Sequence, residues 1–245
     1  MTTTEGIKSK LISLLRPVYE RMGNDRFSRP ALNHLDRKLE RLLPQENGWF
    51  VEAGANDGFQ QSNTYYLARF KGWKGLLVEP VPHLAKACQK RRKESQVVMC
   101  ALGPPELTGG TLKIRNAGLM STVCGALGDD EMEKKRAAKG QAVQGLPIIE
   151  EVNEVPVRTL TEVLENSLTP SQFDLLSLDV EGYEVEVLRG LDLVKFQPRC
   201  LCIEVFDTHR EEVAHHLSPH YTLKEVLHQS TAHSDYFWVR TEVLK

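Results

Sequence analysis

Short apolar runs alternate with amphipathic segments along most of this chain. Strand-like runs lie near residues 50–54, 76–79, 97–100, 173–178 and 200–205, and helix-forming segments near 62–70, 82–94, 160–166 and 183–189 separate them. Such alternation predicts a parallel sheet with helices on both faces. Val97-Val98-Met99-Cys100 and Leu175-Leu176-Ser177-Leu178 are short and almost wholly apolar, as strands covered on both sides must be. Tyr221 to Val226 and Tyr236 to Arg240 read as two more strands, able to pair antiparallel at an edge. Upstream, Leu32, Leu35, Leu39 and Leu42 recur at helical spacing, and Ile7, Leu11, Leu15 and Val18 form an earlier stripe interrupted by Pro17. Residues 1–47 are therefore expected to be a helical extension. Its apolar stripes must bury against the domain's own surface, cap a substrate cleft or meet a second copy of the chain. Between about 103 and 155 the alternation fails, leaving one strand candidate at Thr111 to Arg115 and a charge-rich run from Asp129 to Gly140 that suits a solvated helix. An insertion of this length is more often functional than ornamental. Gly118-Leu119-Met120-Ser121-Thr122 within it is expected to be a substrate-side loop.

At 245 residues the chain can bury a full core as one α/β domain, here 48–245. Its 31 Lys and Arg nearly cancel its 33 Asp and Glu, so no global field draws it to nucleic acid or an anionic membrane. The local cluster Lys86, Lys90, Arg91, Arg92 and Lys93 reads as the solvated face of a helix whose other face is Leu84, Ala85 and Cys88. Five cysteines without a C-x-x-C give neither a disulfide framework nor a zinc signature, and Cys200 and Cys202 fall on one face of a strand as core thiols. No apolar stretch approaches the ~20 residues that span a bilayer, and Met1-Thr2-Thr3-Thr4-Glu5 lacks a signal-peptide core. A soluble, cytoplasmic protein is expected.

Three motifs carry chemistry. Val51-Glu52-Ala53-Gly54-Ala55-Asn56-Asp57-Gly58 reads as strand, glycine turn and helix start, a geometry that brings bare backbone and free N–H groups to a nucleotide-like ligand. A dinucleotide fingerprint starting at Gly54 needs glycines at 56 and 59, where Asn56 and Phe59 stand. One strand later, Leu76-Leu77-Val78 leads into Glu79-Pro80, placing a carboxylate where it can accept hydrogen bonds from two ribose hydroxyls. Farther on, Leu175-Leu176-Ser177-Leu178-Asp179-Val180-Glu181-Gly182-Tyr183-Glu184 ends an apolar run in acids at a turn.

Glu52, Gly54 and Gly58 resemble the first motif of class I S-adenosylmethionine-dependent methyltransferases. The glycine turn, the Val-Glu-Pro strand end and the run from Leu178 to Gly190 together resemble the FkbM family of methyltransferases over roughly residues 48–206. The resemblance implies a Rossmann-like, mostly parallel seven-stranded sheet with an antiparallel edge strand, S-adenosyl-L-methionine as cofactor, and O-methylation of a sugar, glycan, lipid-linked sugar or secondary metabolite. It further implies that Cys100 and Ala101 flank adenine.

On that reading Glu52, Gly54, Asn56, Asp57 and Gly58 approach the amino-acid end of the cofactor, Ser62 satisfies its carboxylate, and Glu79, followed by Pro80, holds the ribose. A hydroxyl nucleophile gains from a general base within hydrogen-bond reach. Asp179 and Glu181 lead as candidates, with His209 at the same edge. Asp179, Glu181 and Glu204 also admit a magnesium site, an arrangement not favoured here because the spacing is not diagnostic. Rival readings stay open: a nucleic-acid or protein acceptor, although Asp179-Val180-Glu181-Gly182 stands where base-directed enzymes carry Asn/Asp-Pro-Pro-Tyr/Phe, or a binding and trafficking module without turnover.

Overall fold

The computed structural model describes residues 4–244, and the side chains of residues 11–242. Two N-terminal helices, α1 (Thr4–Arg21) and α2 (Leu35–Leu42), precede β1 (Trp49–Ala53), α3 (Tyr65–Phe70), β2 (Lys74–Val78), α4 (Pro82–Arg91) and β3 (Gln96–Val98). An insertion follows, made of β4 (Ala101–Leu102), β5 (Thr111–Asn116), β6 (Thr122–Val123), α5 (Asp130–Val143) and β7 (Glu151–Arg158). The chain then runs through α6 (Leu160–Glu165), β8 (Gln172–Leu178), α7 (Glu184–Arg189), β9 (Gln197–Phe206), α8 (Arg210–Leu217), β10 (Tyr221–Gln229) and β11 (His233–Arg240).

The main sheet has seven strands in the order β10-β11-β9-β8-β1-β2-β3. Only β11 runs against its neighbours, and it lies one place in from the edge, where β10 is outermost. The chain moves outward from β1 to β3 and returns across β1 to β8, so strand order reverses between β1 and β8. Ligands bind open α/β sheets at that switch point, beyond the carboxyl ends of the strands.

Period-two alternation sends neighbouring residues to opposite layers. Val51, Leu76, Leu176 and Ile203 pack with Leu160, Leu164, Leu188, Val213 and Leu217 of α6, α7 and α8. Phe50, Leu77, Leu175, Cys200 and Cys202 face the opposite layer, with Leu35 and Leu39 of α2, Leu67 of α3 and Cys88 of α4. The α2 stripe thus covers its own domain. Leu32 falls before the helix, in a 3-10 turn that bends at Asn33 (φ 52°), and is exposed. The α1 stripe behaves otherwise: Leu11 and Val18 are exposed, Leu15 is half-buried, and the Ile7 side chain lies outside the described residues. Polar contacts dock α1 instead, with the Arg16 guanidinium 3.6 Å from the Phe59 ring centroid and Glu20 accepting the Tyr65 hydroxyl at 2.8 Å.

Within the insertion, β4, β7, β5 and β6 form a second sheet over a small core of Val81, Ala101, Ile114, Val123, Val155 and Val157. The charge-rich run is the helix α5, capped by the Asp129 side chain, which accepts the N–H groups of Glu131 and Met132.

Candidate active site

The glycine turn is built by crowding. Gly54 adopts φ +84°, and a Cβ there would lie 1.7 Å from the backbone oxygen of Asp179, so only glycine lets the end of β8 pass. On the other side, the N–H groups of Gly54 and Ala55 donate to the Val78 carbonyl at 3.0 and 3.1 Å. Asn56, itself left-handed at φ 47°, donates its N–H to Glu79 Oε2 at 2.8 Å. Three strand ends are thereby tied around one point.

Glu79 is buried, and each carboxylate oxygen accepts one backbone N–H, from Asn56 and from Val81, both at 2.8 Å. Each oxygen keeps acceptor capacity. Burial pushes this carboxyl up to about 7, against the pull of those two N–H groups.

Glu52 is also buried, yet its oxygens are occupied. They accept Ser62 Oγ at 3.0 Å, Thr64 Oγ1 at 2.6 Å and the Asn63 N–H at 2.9 Å, and Arg92 Nη1 lies 3.7 Å away. Arg92 corrects the expectation of a solvated basic face. It is wholly buried beneath the turn and donates to the Gly58 carbonyl, Ser62 Oγ and Thr64 Oγ1. Loop 58–64 is therefore wrapped around a buried ion pair. The Ser62 hydroxyl is engaged with Glu52 and the Tyr65 N–H, three residues before α3 begins. Asp57 accepts the N–H groups of Phe59 and Gln60 and pairs with Arg91 at 2.6 Å. Burial works against its charge, but those bonds and Arg91 hold its carboxyl below the usual range. Gly58 lies against Arg92 and Cys88, where a Cβ would meet either side chain at 2.9 Å. Asp57, Gly58 and Ser62 thus stand behind the crevice wall and support it.

One open crevice brings together Glu52, Gly54, Asn56, Glu79, Pro80, Cys100, Ala101, Asp179 and Glu181. Leu102, Ile114 and Val123 make its Cys100 end apolar, and Asn63, Ser177 and Asp179 make the other end polar. The insertion supplies a wall, with Gly118, Leu119, Ser121 and Thr122 all facing in, as does Tyr183.

The acids beyond β8 differ in how they are held. Asp179 is half-buried as a side chain, but its Oδ1 is fully covered and has no hydrogen-bond partner. Burial, then the nearby Glu204, Glu181, Glu184 and Asp235, raise its carboxyl well above the usual range. Glu181 adopts φ +59°, a left-handed position uncommon outside glycine, and its Oε2 accepts Arg136 Nη2 at 2.6 Å. Burial raises its carboxyl while Arg136 opposes. Glu184, not among the predicted site residues, holds this turn: its Oε1 accepts the N–H groups of Val180 at 3.2 Å and Gly182 at 3.1 Å, and burial pushes it up to about 7. Its spacing in Glu181-Gly182-Tyr183-Glu184 was the available signal, because an acid placed just after a turn can cap it.

His209 is not brought to the crevice. It lies in the 3-10 turn Asp207–His209 that leads into α8. Among the described residues, no group of three or more His, Cys, Asp or Glu side chains could hold a metal ion, and no helix is long and apolar enough to cross a membrane.

Comparison with curated proteins found no match. Among solved structures, the chain is similar to a TehB-like SAM-dependent methyltransferase from Corynebacterium glutamicum, with 10% identity over 96% of this chain and 99% of that one and a TM-score of 0.45. It is similar to a SAM-dependent methyltransferase from Aquifex aeolicus, with 10% identity, 92% and 98% coverage and a TM-score of 0.47. It is also similar to Aeropyrum pernix fibrillarin, solved with natively bound S-adenosyl-L-methionine, with 13% identity, 83% and 73% coverage and a TM-score of 0.47. The family model of the methyltransferase FkbM domain matches residues 52–233, a span that includes the glycine turn, Glu79 and the acids after β8. The chain therefore belongs to the FkbM methyltransferase family and is an S-adenosylmethionine-dependent methyltransferase.

Proposed function

We propose that this protein methylates a hydroxyl group of a sugar, glycan, lipid-linked sugar or secondary metabolite. The crevice suits the cofactor in parts. Its apolar end, with Cys100, Ala101, Ile114 and Val123, is fitted to adenine. Glu79 has acceptor capacity for two ribose hydroxyls, and the bare backbone at Gly54 leaves room for the amino-acid end. When bound, S-adenosylmethionine supplies a methyl group on a sulfonium, open to in-line attack.

The observation that carries the hydroxyl reading is Asp179. A carboxyl with one covered, unpartnered oxygen and a raised proton affinity, lining the polar end of the crevice, is suited to take the proton of an acceptor O–H. Glu181 shares that end, but its ion pair with Arg136 makes it the poorer base. A binding module without turnover has no use for such a group. The near balance of charge speaks against a nucleic-acid acceptor.

Methyl-labelled S-adenosylmethionine incubated with the protein and a panel of monosaccharides, glycosides and metabolite extracts tests this reading by mass spectrometry. A labelled methyl ether is expected. Label appearing only on RNA or protein added in parallel would overturn it.

A further inference from the structure

The acids do not end at Asp179. Leu178 is in register with Ile203 of β9, which sets Asp179 beside Glu204, and Glu204 is paired with Asp235 of β11. Residues in register on adjacent strands share a face, so these carboxyls form a row leading away from the crevice. His233, two residues before Asp235, shares that face. Its Nε2 lies 3.7 Å from Glu204 Oε2, and its side chain is 28% exposed against 14% for Glu204, so the row ends near solvent. A shift of about 1 Å would turn that approach into a hydrogen bond.

Methylation of a hydroxyl releases one proton per turnover, and a base closed in by cofactor and acceptor must be emptied before the next. Resting on the hydroxyl reading above, we propose that Glu204 and His233 form a relay that carries this proton from Asp179 to solvent. The acceptor's proton passes to Asp179 as the O–C bond forms and the S–C bond breaks, the electron pair of the latter staying on sulfur. Glu204 then takes the proton from Asp179 on one oxygen while giving its own to His233 Nε2, and the imidazolium releases a proton to water. Neither relay residue touches the acceptor; both are positioning residues acting through Asp179.

The surrounding charges suit that order of events. Burial, then Glu181, Asp235 and Glu184, push Glu204 up to about 8, with Arg136 of α5 opposing, so Glu204 carries a proton near neutrality. Burial keeps His233 below the ordinary imidazole range, aided by His228 and Arg136 and opposed by Asp235 and Asp207, so its ring is neutral and able to accept. His228 of β10 lies 3.5 Å from Asp235, which also feels Lys38 of α2.

The relay can be tested without knowing the acceptor. The sulfonium charge of S-adenosylmethionine, set beside Asp179, should expel a proton from the Asp179–Glu204 pair, whereas uncharged S-adenosylhomocysteine should not. Calorimetry in buffers of different ionisation enthalpy counts that proton, and stopped-flow mixing with a pH indicator times its arrival in solvent. Wild type should release it with the sulfonium nucleoside only, and Glu204→Gln should abolish the difference while still binding both nucleosides. His233→Asn should release the same amount about tenfold more slowly, with added imidazole restoring the rate. Equal proton release with both nucleosides in wild type, or an unslowed release in His233→Asn, would overturn the relay. Failure of either nucleoside to bind would instead bring down the cofactor assignment beneath it, and the relay with it.

Discussion

Glu52 and Asp179 stand on adjacent strands at the same crevice, and the fold treats them in opposite ways. Glu52 is in register with Ser177, so Asp179 lies two residues further along on the same face. Glu52 has a wholly buried arginine and three hydrogen bonds. Asp179 has an orphaned oxygen and four acids around it. A buried charge is tolerated when it is paired and hydrogen-bonded, and otherwise its affinity for a proton rises. The first carboxylate is therefore a building element that shapes loop 58–64. On the proposed reading, the second is kept reactive at the cost of stability, as strained or unsatisfied groups at active sites are.

The sharpest way to break this contrast is Asp179→Asn. Methyl transfer should fall about 100- to 10,000-fold while cofactor affinity is retained, measured by labelled product and calorimetry. Wild-type turnover would remove Asp179 from the mechanism. Next, Arg92→Met leaves Glu52 buried and alone, and urea unfolding should show a loss of about 3–5 kcal/mol. Adding Glu52→Gln should recover part of that loss. If Arg92→Met costs nothing, the pair is not the support described. Glu79→Gln comes third: the charge-assisted bonds to ribose are lost, and affinity for S-adenosylmethionine should drop about tenfold with little change in fold. If Glu79 holds the ribose, affinity should rise with pH between 6 and 8 as this carboxyl, pushed up to about 7, ionises, and that dependence should vanish in the variant.

A further effect, spread over several groups, is on stability against pH. Burial pushes Asp235, Glu79, Glu184 and Glu204 up to about 6, 7, 7 and 8 in the folded chain, above their ordinary values of 3.8 or 4.5. Above those ordinary values the unfolded chain gives up protons that the folded chain still holds, so these groups favour folding most at low pH and the benefit is lost as pH rises through their folded values. The melting temperature of cofactor-free protein should fall between pH 5.5 and 8. Glu204→Gln should flatten that slope, and a rising melting temperature across the window would contradict the assignment.

The legible parts of the molecule were those whose physics is local. The parallel strands are short apolar runs, and the turn at Gly54 and the acid at Glu79 follow them directly, so the main sheet and the crevice wall at its switch point could be read in order. The β7 strand could not: Glu151-Val152-Asn153-Glu154-Val155-Pro156-Val157-Arg158 carries a proline and buries only Val155 and Val157, so its pattern is that of a loop. Arg92 was hidden for a different reason. It follows a helix rich in lysine, and only the long-range packing of loop 58–64 shows that one of these cations is inside. Glu204 and Asp235 matter through strand register, which no spacing along the chain discloses. Conversely, Asp57, Gly58 and Ser62 fit the motif yet lie behind the wall, because a pattern does not say which side of a turn faces the crevice.

A crystal structure with S-adenosylhomocysteine tests the central claim most directly. The ribose hydroxyls should lie within hydrogen-bond distance of the Glu79 carboxylate, adenine between Ala101 and the insertion, and sulfur toward Asp179. A nucleoside bound elsewhere, or a crevice closed by the insertion with Glu79 untouched, would contradict it.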